Sequence, residues 1–328
     1  MAWIIGISFI ILFTASSIKH LLYQSTAFDL GIFDQGIYLI SQGKPPISSF
    51  INHHIFGDHA AGILYLLALL YKIYPTVYWL FLVQSISLAL GALPTWHLAI
   101  DAGLKEGQAI AVATAYLLYP VVFNANLFDF HPDVISVPFF LWSVLLARTG
   151  KILLFFLDLV MILTCKAVFS ITVTAMGIWL VLFEKKKLMG LIAILVGIVW
   201  LIVSTQLVIP VIGGESASTV RHIARYASLG NSYSEILINV FLKPNLFISK
   251  IFSIDSFVYL LLLFIPFIWF LKNTNLSPLL VAIPTIAMSI LSDDPAQRYL
   301  ANQYSLPVLP FLMLIAIANL SSMEFQKN

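Results

Sequence analysis

The chain has 328 residues, 60% of them hydrophobic and only 10% charged, with a mean hydropathy of +0.98 and a formal net charge of +2. A soluble domain carries about a quarter charged residues, so a fully water-exposed surface is excluded. The small charge, with no basic stretch interleaved with aromatics, excludes nucleic acid as a partner, and the single Cys165 excludes an intrachain disulfide or a paired-cysteine metal site.

Apolar runs approaching the roughly 20 residues needed to cross a bilayer recur along the chain. They fall at about 2–22, 78–100, 108–124, 134–148, 152–165, 167–183, 188–211, 257–271, 276–291 and 304–320. They predict an all-α polytopic integral membrane protein with about ten transmembrane helices, in one membrane domain over residues 1–328. A membrane barrel would show short alternating segments instead. The first run, AWIIGISFIILFTASS, lacks a basic leader and reads as a retained span. Pro94, Pro138, Pro266 and Pro284 fall inside runs, which packed membrane helices tolerate.

The segment AAGILYLLALLYKIYP, 60–75, is short for a span and carries Lys72 near its end. It either crosses or lies in the interface as a juxtamembrane helix. The second choice, with residue 1 cytoplasmic, puts Arg148, Lys151, the run EKKK (184–187), Lys272 and Lys327 on the cytoplasmic side, as the positive-inside rule prefers. A first loop (23–77), a second long loop (212–256) and the turns 124–133 and 292–299 then share the outer face of an inner or plasma membrane.

Three polar clusters meet on that face. In FDLGIFDQGIYLISQGK, 28–44, Leu30, Phe33, Ile37 and Ile40 form one helical stripe, which predicts a helix lying flat on the bilayer. Asp29 stands at its start, where helix capping is the bland explanation, and Asp34 lies near the edge of the stripe. The stretch NHHIFGDH, 52–59, holds three of the seven histidines with Asp58. Capping of the 60–75 helix explains Asp58 but not His53, His54 and His59 together. Imidazoles with a carboxylate suit a divalent transition metal, and carboxylates alone suit magnesium or manganese. His54, Asp58 and His59 are therefore candidate ligands of a divalent ion (Mg or Mn), with no HExxH-type spacing to specify it. In LFDFHPDV, 127–134, His131, Pro132 and Asp133 form a helix start. Asp129 is left over between two Phe, where a carboxylate loses hydration and suits a general base.

Asp158 lies inside ILLFFLDLVMIL, and Lys166 lies between two apolar runs. Intramembrane charges cost roughly 2.5–3.5 kcal/mol on translocon scales and need a partner or a wet cavity. Arg221 and Arg225, four apart on one helix face, match a bidentate phosphate clamp, and Arg298 is a further outer cation. Solvated loop charge is the bland alternative for all three.

The stretches FDLGIFDQGIY, FGDHAAGILYLLALLYKIYP, the Gln84 to Pro94 span, AYLLYPVVFNANLFDFHPD and QYSLPVLPF resemble, in order, the motifs of the predicted-membrane-protein family called domain of unknown function 2079. That family is distantly similar to the C-type (GT-C) membrane glycosyltransferases, which take a sugar from a polyprenyl-phosphate carrier on the outer membrane face. The resemblance implies a first catalytic acid on juxtamembrane helices after the first span, Asp29 or Asp34 here. It implies a second in the next outer loop, Asp129 here, and a juxtamembrane 60–75. The chain departs from the family pattern after Lys166, where Ala167 and Val168 replace acidic residues.

The expected function is transfer of a sugar from a polyprenyl-phosphate carrier to an acceptor. Lys166, Arg221, Arg225 and Arg298 would neutralise the leaving phosphate, and Asp129 with His59 or His131 would orient the acceptor or hold the ion. Expected partners are membrane lipids and the lipid-linked sugar. The alternative is a non-catalytic carrier or binding protein for a lipid-linked or anionic solute, with Asp158 and Lys166 marking its path. A metal-dependent membrane hydrolase built on the His cluster is the third reading.

Overall fold

The structure, a computed structural model, describes residues 1–213, 222–270 and 275–325. Among them, five helical stretches are long and apolar enough to cross a membrane: Ala2–Leu21, Tyr78–Asp101, Glu106–Leu127, Lys187–Gly213 and Gln303–Met323. The pair Pro244–Ile251 and Ile254–Ile268, bent by 49°, makes a sixth when taken as one broken span. Shorter apolar helices at Ile152–Cys165, Phe169–Leu182 and Leu279–Leu291 occupy further stretches where the sequence predicts crossings. At 1.5 Å per residue, a 14-residue helix such as Ile152–Cys165 covers only about 21 Å of a core about 30 Å thick. By length and composition, five or six of the described helical stretches span the full core, and the shorter ones fall where the sequence predicts the remaining crossings.

The breaks have local causes. The stretch Glu106–Leu127 is divided at Tyr119, the residue before Pro120, which the proline ring pushes into extended geometry. Gly91 sits between the helices Tyr78–Leu90 and Ala92–Asp101, where a Cβ would lie 2.1 Å from the Tyr116 hydroxyl. Only glycine lets that helix approach so closely.

One continuous apolar core runs from Leu12 to Ile317, with Phe81, Tyr116, Phe140, Phe155, Trp179 and Phe311 fully buried. A polar lock crosses it. Asn126 Nδ2 donates to Leu12 O at 2.8 Å, while Gln84 Nε2 donates to Asn126 O at 2.7 Å. Interhelical bonds of this kind hold membrane helices in register where lipid offers no competing partner. By contrast Trp3, Ile7, Ile10 and Ile11 on the first helix and Leu188, Leu191 and Leu195 on Lys187–Val203 are exposed. Apolar surface of that extent is the dress of a lipid-facing helix.

The site is positioned by the long segment that follows the first helix. Helix α1 (Ala2–Leu21) is followed by α2 (Ala27–Ser41), a two-stranded antiparallel pair (Ile47–Ser48 with His53–His54), α3 (Phe56–His59) and α4 (Ile63–Ile73). Leu30, Phe33 and Ile37 of α2 are buried in the protein core. The stripe predicted to lie on the bilayer packs instead on α4 and on Phe130, whose ring centroid is 5.6 Å from that of Phe33. Helix α4, with 11 residues, reaches about 16 Å and is too short to cross.

Candidate functional site

Two helix starts and one helix break build the site. The turn before Asp133–Thr149 brings Asp129, His131 and Asp133 together, and Asp129 holds φ at +94°, a conformation a non-glycine residue adopts only under constraint. Its cause is visible. Asp129 is 2% exposed and its Oδ2 accepts from the Thr26 N–H at 2.7 Å and the Thr26 hydroxyl at 2.8 Å, while Oδ1 faces Lys19 Nζ at 3.2 Å. Lys19 also donates to Leu127 O at 2.6 Å. The end of α1, the start of α2 and the Asp129 turn are thus clamped at one carboxylate.

Asp29 does not cap α2. The N-cap is Thr26, and Asp29 occupies the first turn, where a carboxylate suits the helix dipole. Its side chain is 34% exposed and lies 3.8 Å from His131 Nε2. The His131 ring is buried and packed between Phe128, stacked at 5.2 Å, and Phe33 at 5.5 Å.

Asp133 begins its helix, with Pro132 as N-cap rather than the first helical residue. Both its oxygens receive Lys166 Nζ, at 3.3 and 3.2 Å, and both residues are buried. Lys166 stands at the break after Ile152–Cys165, in extended conformation, which turns its side chain to Asp133. Next to it, the Ala167 N–H donates to His59 O at 2.8 Å. That bond joins the two polar stretches that the sequence could only place on one face.

Lys166 Nζ lies 5.9 Å from the Tyr304 ring centre, and the Arg225 guanidinium lies 5.7 Å from the same ring. Two cations thus share one aromatic ring, with Arg225 also facing Asp294 at 3.9 Å. Beside it, His59 Nε2 is 3.2 Å from Asp58 Oδ2, and His222 Nε2 is 3.9 Å from Asp58 Oδ1. The His59 and His222 rings stack at 4.9 Å. Burial holds the His59 pKa well below the usual imidazole range. Asp58 opposes that shift, and Lys166, His222 and Arg225 reinforce it.

Asp34 faces elsewhere. Five positions on from Asp29, it is rotated by about 140° around α2. It accepts from the Tyr71 hydroxyl at 2.6 Å in an open groove of about 570 Å³ that also includes His20, Thr26 and Thr76. Burial, then the Asp34 charge, pushes the Tyr71 pKa up, so the phenol stays a donor.

Among the remaining residues predicted from the sequence, Arg298 donates to Ser289 O and Ser292 O, at 3.2 and 2.9 Å, and so finishes the helix Leu279–Leu291. Arg221 lies outside the described residues. His54 belongs to the strand pair, its Nδ1 accepting from the Phe56 N–H at 3.1 Å, and burial lowers its pKa. Asp58 lies within α3 and does not cap α4, whose N-cap is Gly62. Sequence reasoning did not single out Lys19, Tyr71, Tyr304 or His222 as site residues. Nothing near them in sequence marks their partners, which lie from 37 residues away (Tyr71 to Asp34) to 164 (His222 to Asp58).

A bundle with lipid-facing helices, a broken-helix lysine and a polar cluster built on the short helices after α1 defines a polytopic α-helical membrane protein. The chain belongs to the predicted-membrane-protein family of domain of unknown function 2079 (DUF2079), whose model matches residues 19–328. No curated protein matches the sequence. Among solved structures, the fold is similar to ArnT from Cupriavidus metallidurans bound to undecaprenyl phosphate, with a TM-score of 0.60 and 14% identity. The similarity covers 97% of this chain and 59% of that one.

Proposed function

We propose that the chain is a GT-C-type membrane glycosyltransferase that moves a sugar from a polyprenyl-phosphate carrier to an acceptor hydroxyl on the outer membrane face, with its N-terminus cytoplasmic. The observation that carries this is the convergence of Asp29, His131, Asp133, Lys166, Tyr304 and Arg225 from five separate stretches of chain. The shared fold with a protein bound to undecaprenyl phosphate supports the carrier class.

In this reading Asp29, partly exposed and beside His131, takes the proton of the acceptor hydroxyl as its oxygen attacks the anomeric carbon. The bond from that carbon to the phosphate oxygen breaks, and the lipid phosphate leaves with the electron pair. Lys166 and Arg225, already held in place by Asp133, Asp294 and Tyr304, offset its charge. Asp133 aims Lys166. Asp129 is a positioning residue: its donors Lys19 and Thr26 fix the start of α2 and so the place of Asp29. The alternative carrier reading gains less support, because Asp158 bonds the Ser143 hydroxyl inside the helix pair while Lys166 pairs with Asp133.

The test uses purified protein in proteoliposomes with a radiolabelled polyprenyl-phosphate sugar and an extract of candidate acceptors. Asp29→Asn is expected to lower transfer by roughly 10²–10⁴ with unchanged thermal unfolding, the usual worth of a positioned general base. Undiminished transfer by that variant would sink the assignment.

A further inference from the structure

We infer that Asp58, His59 and His222 form a binding site for a divalent ion of the zinc class, which ties the first outer loop to the chain segment that carries Arg225. One ligand atom from each of the three lies within 4.8 Å of the other two. The set differs from the one the sequence offers: His222, 163 positions beyond His59, takes the place of His54.

The donors decide the class of ion. Two imidazoles and one carboxylate suit a borderline ion, whereas magnesium and calcium favour oxygen alone. Zinc accepts two histidines and a carboxylate while keeping a fourth position open. With bonds of roughly 2.0–2.2 Å, tetrahedral ligands sit about 3.3–3.5 Å apart. The 3.2 Å between Asp58 Oδ2 and His59 Nε2 already fits, and the 3.9 Å between His222 Nε2 and Asp58 Oδ1 needs a small side-chain rotation.

The backbone around the ligands is held from several sides. Gly57 packs so tightly on Gly213 that a Cβ would lie 2.3 Å from the Gly213 Cα. The His59 carbonyl accepts from Ala167. The nearby cations Lys166 and Arg225 oppose a divalent ion, but each faces its own carboxylate, Asp133 and Asp294. His222 stands three residues before Arg225, so an ion on His222 fixes the strand of chain that lays Arg225 against Tyr304. The metal-binding claim does not depend on the transfer reaction.

The test is metal content and unfolding of the full chain, purified without a polyhistidine tag, stripped with chelator and equilibrated with zinc or magnesium. About one zinc per chain is expected after desalting, with no magnesium, and a raised unfolding midpoint with zinc. His222→Ala and His59→Ala should lose both effects, and His54→Ala should keep them. His222→Cys retains a zinc ligand, so it should restore binding and, loaded with cobalt, add a thiolate charge-transfer band. That variant separates lost ligation from a damaged fold. Folded wild-type protein that retains no zinc, or His222→Ala that retains as much as wild type, overturns the site and leaves the triad a hydrogen-bonded latch.

Discussion

Asp129 and Asp29 are carboxylates of one polar cluster, and they meet opposite fates. Asp129 is 2% exposed and caged by two donors of Thr26 and the Lys19 ammonium. Asp29 is 34% exposed at the side chain and looks across 3.8 Å to an imidazole. A carboxylate whose lone pairs are filled by the protein has none left for a substrate proton. One that keeps access to solvent does. The difference divides the polar surface into a part that holds the loop and a part available for chemistry.

The largest expected effect breaks the holding part. Asp129→Ala removes the acceptor of both Thr26 donors and strands a half-buried Lys19. Breaking such a pair typically costs about 3–5 kcal/mol, so a marked fall in unfolding midpoint is expected in detergent or nanodiscs, with loss of transfer. Asp29→Asn should instead spare the midpoint. If Asp129→Ala leaves stability intact, the clamp is not what holds α2.

The next test asks whether the two faces of α2 are independent. Tyr71→Phe removes the hydroxyl bonded to Asp34 without changing the shape of a buried ring. A hydrogen bond to a charged group contributes about 1.5–3 kcal/mol, and the partial exposure of Asp34 places the expected loss near the lower end. Transfer should fall less than tenfold for Tyr71→Phe and for Asp34→Asn. A collapse in either as deep as that of Asp29→Asn would move the catalytic base to the groove.

The sequence showed the membrane class, the juxtamembrane length of α4 and the three polar clusters, because each rests on local composition or spacing. It did not show which acids would face one another. Asp29 and Asp34 look equivalent in FDLGIFDQ, and only the packing of Leu30, Phe33 and Ile37 against the core decides which way each points. Asp58 and Asp29 both looked like caps, and neither is, because Gly62 and Thr26 take those positions. The lysine that saturates Asp129 sits at the end of the first apolar run, where a snorkelling role hides a structural one.

Asp293 offers the finest cut between a caged and an open carboxylate, since its side chain is as exposed as that of Asp29, at 34%, yet is held by hydrogen bonds like that of Asp129. Burial alone would raise its pKa. Hydrogen bonds from Lys250 at 2.6 Å and from the hydroxyl and N–H of Ser228 more than offset that, so the carboxyl is held below its ordinary range. A folded pKa lower than the unfolded one stabilises the protein above the unfolded value, about 3.9, and the contribution fades as pH falls through the folded value. The unfolding midpoint should therefore lose a small increment below about pH 4. After solvent screening the increment is worth no more than about 1 kcal/mol. Asp293→Asn should lower the midpoint at pH 6 and leave a flatter acid limb. Because the Asp293 N–H also bonds Arg225 O at 2.6 Å, the same loosening reaches the segment that holds Arg225 on Tyr304. The apparent KM for the lipid-linked sugar should rise in Asp293→Asn with little change in kcat, whereas a carboxylate acting in the chemistry itself would lower kcat.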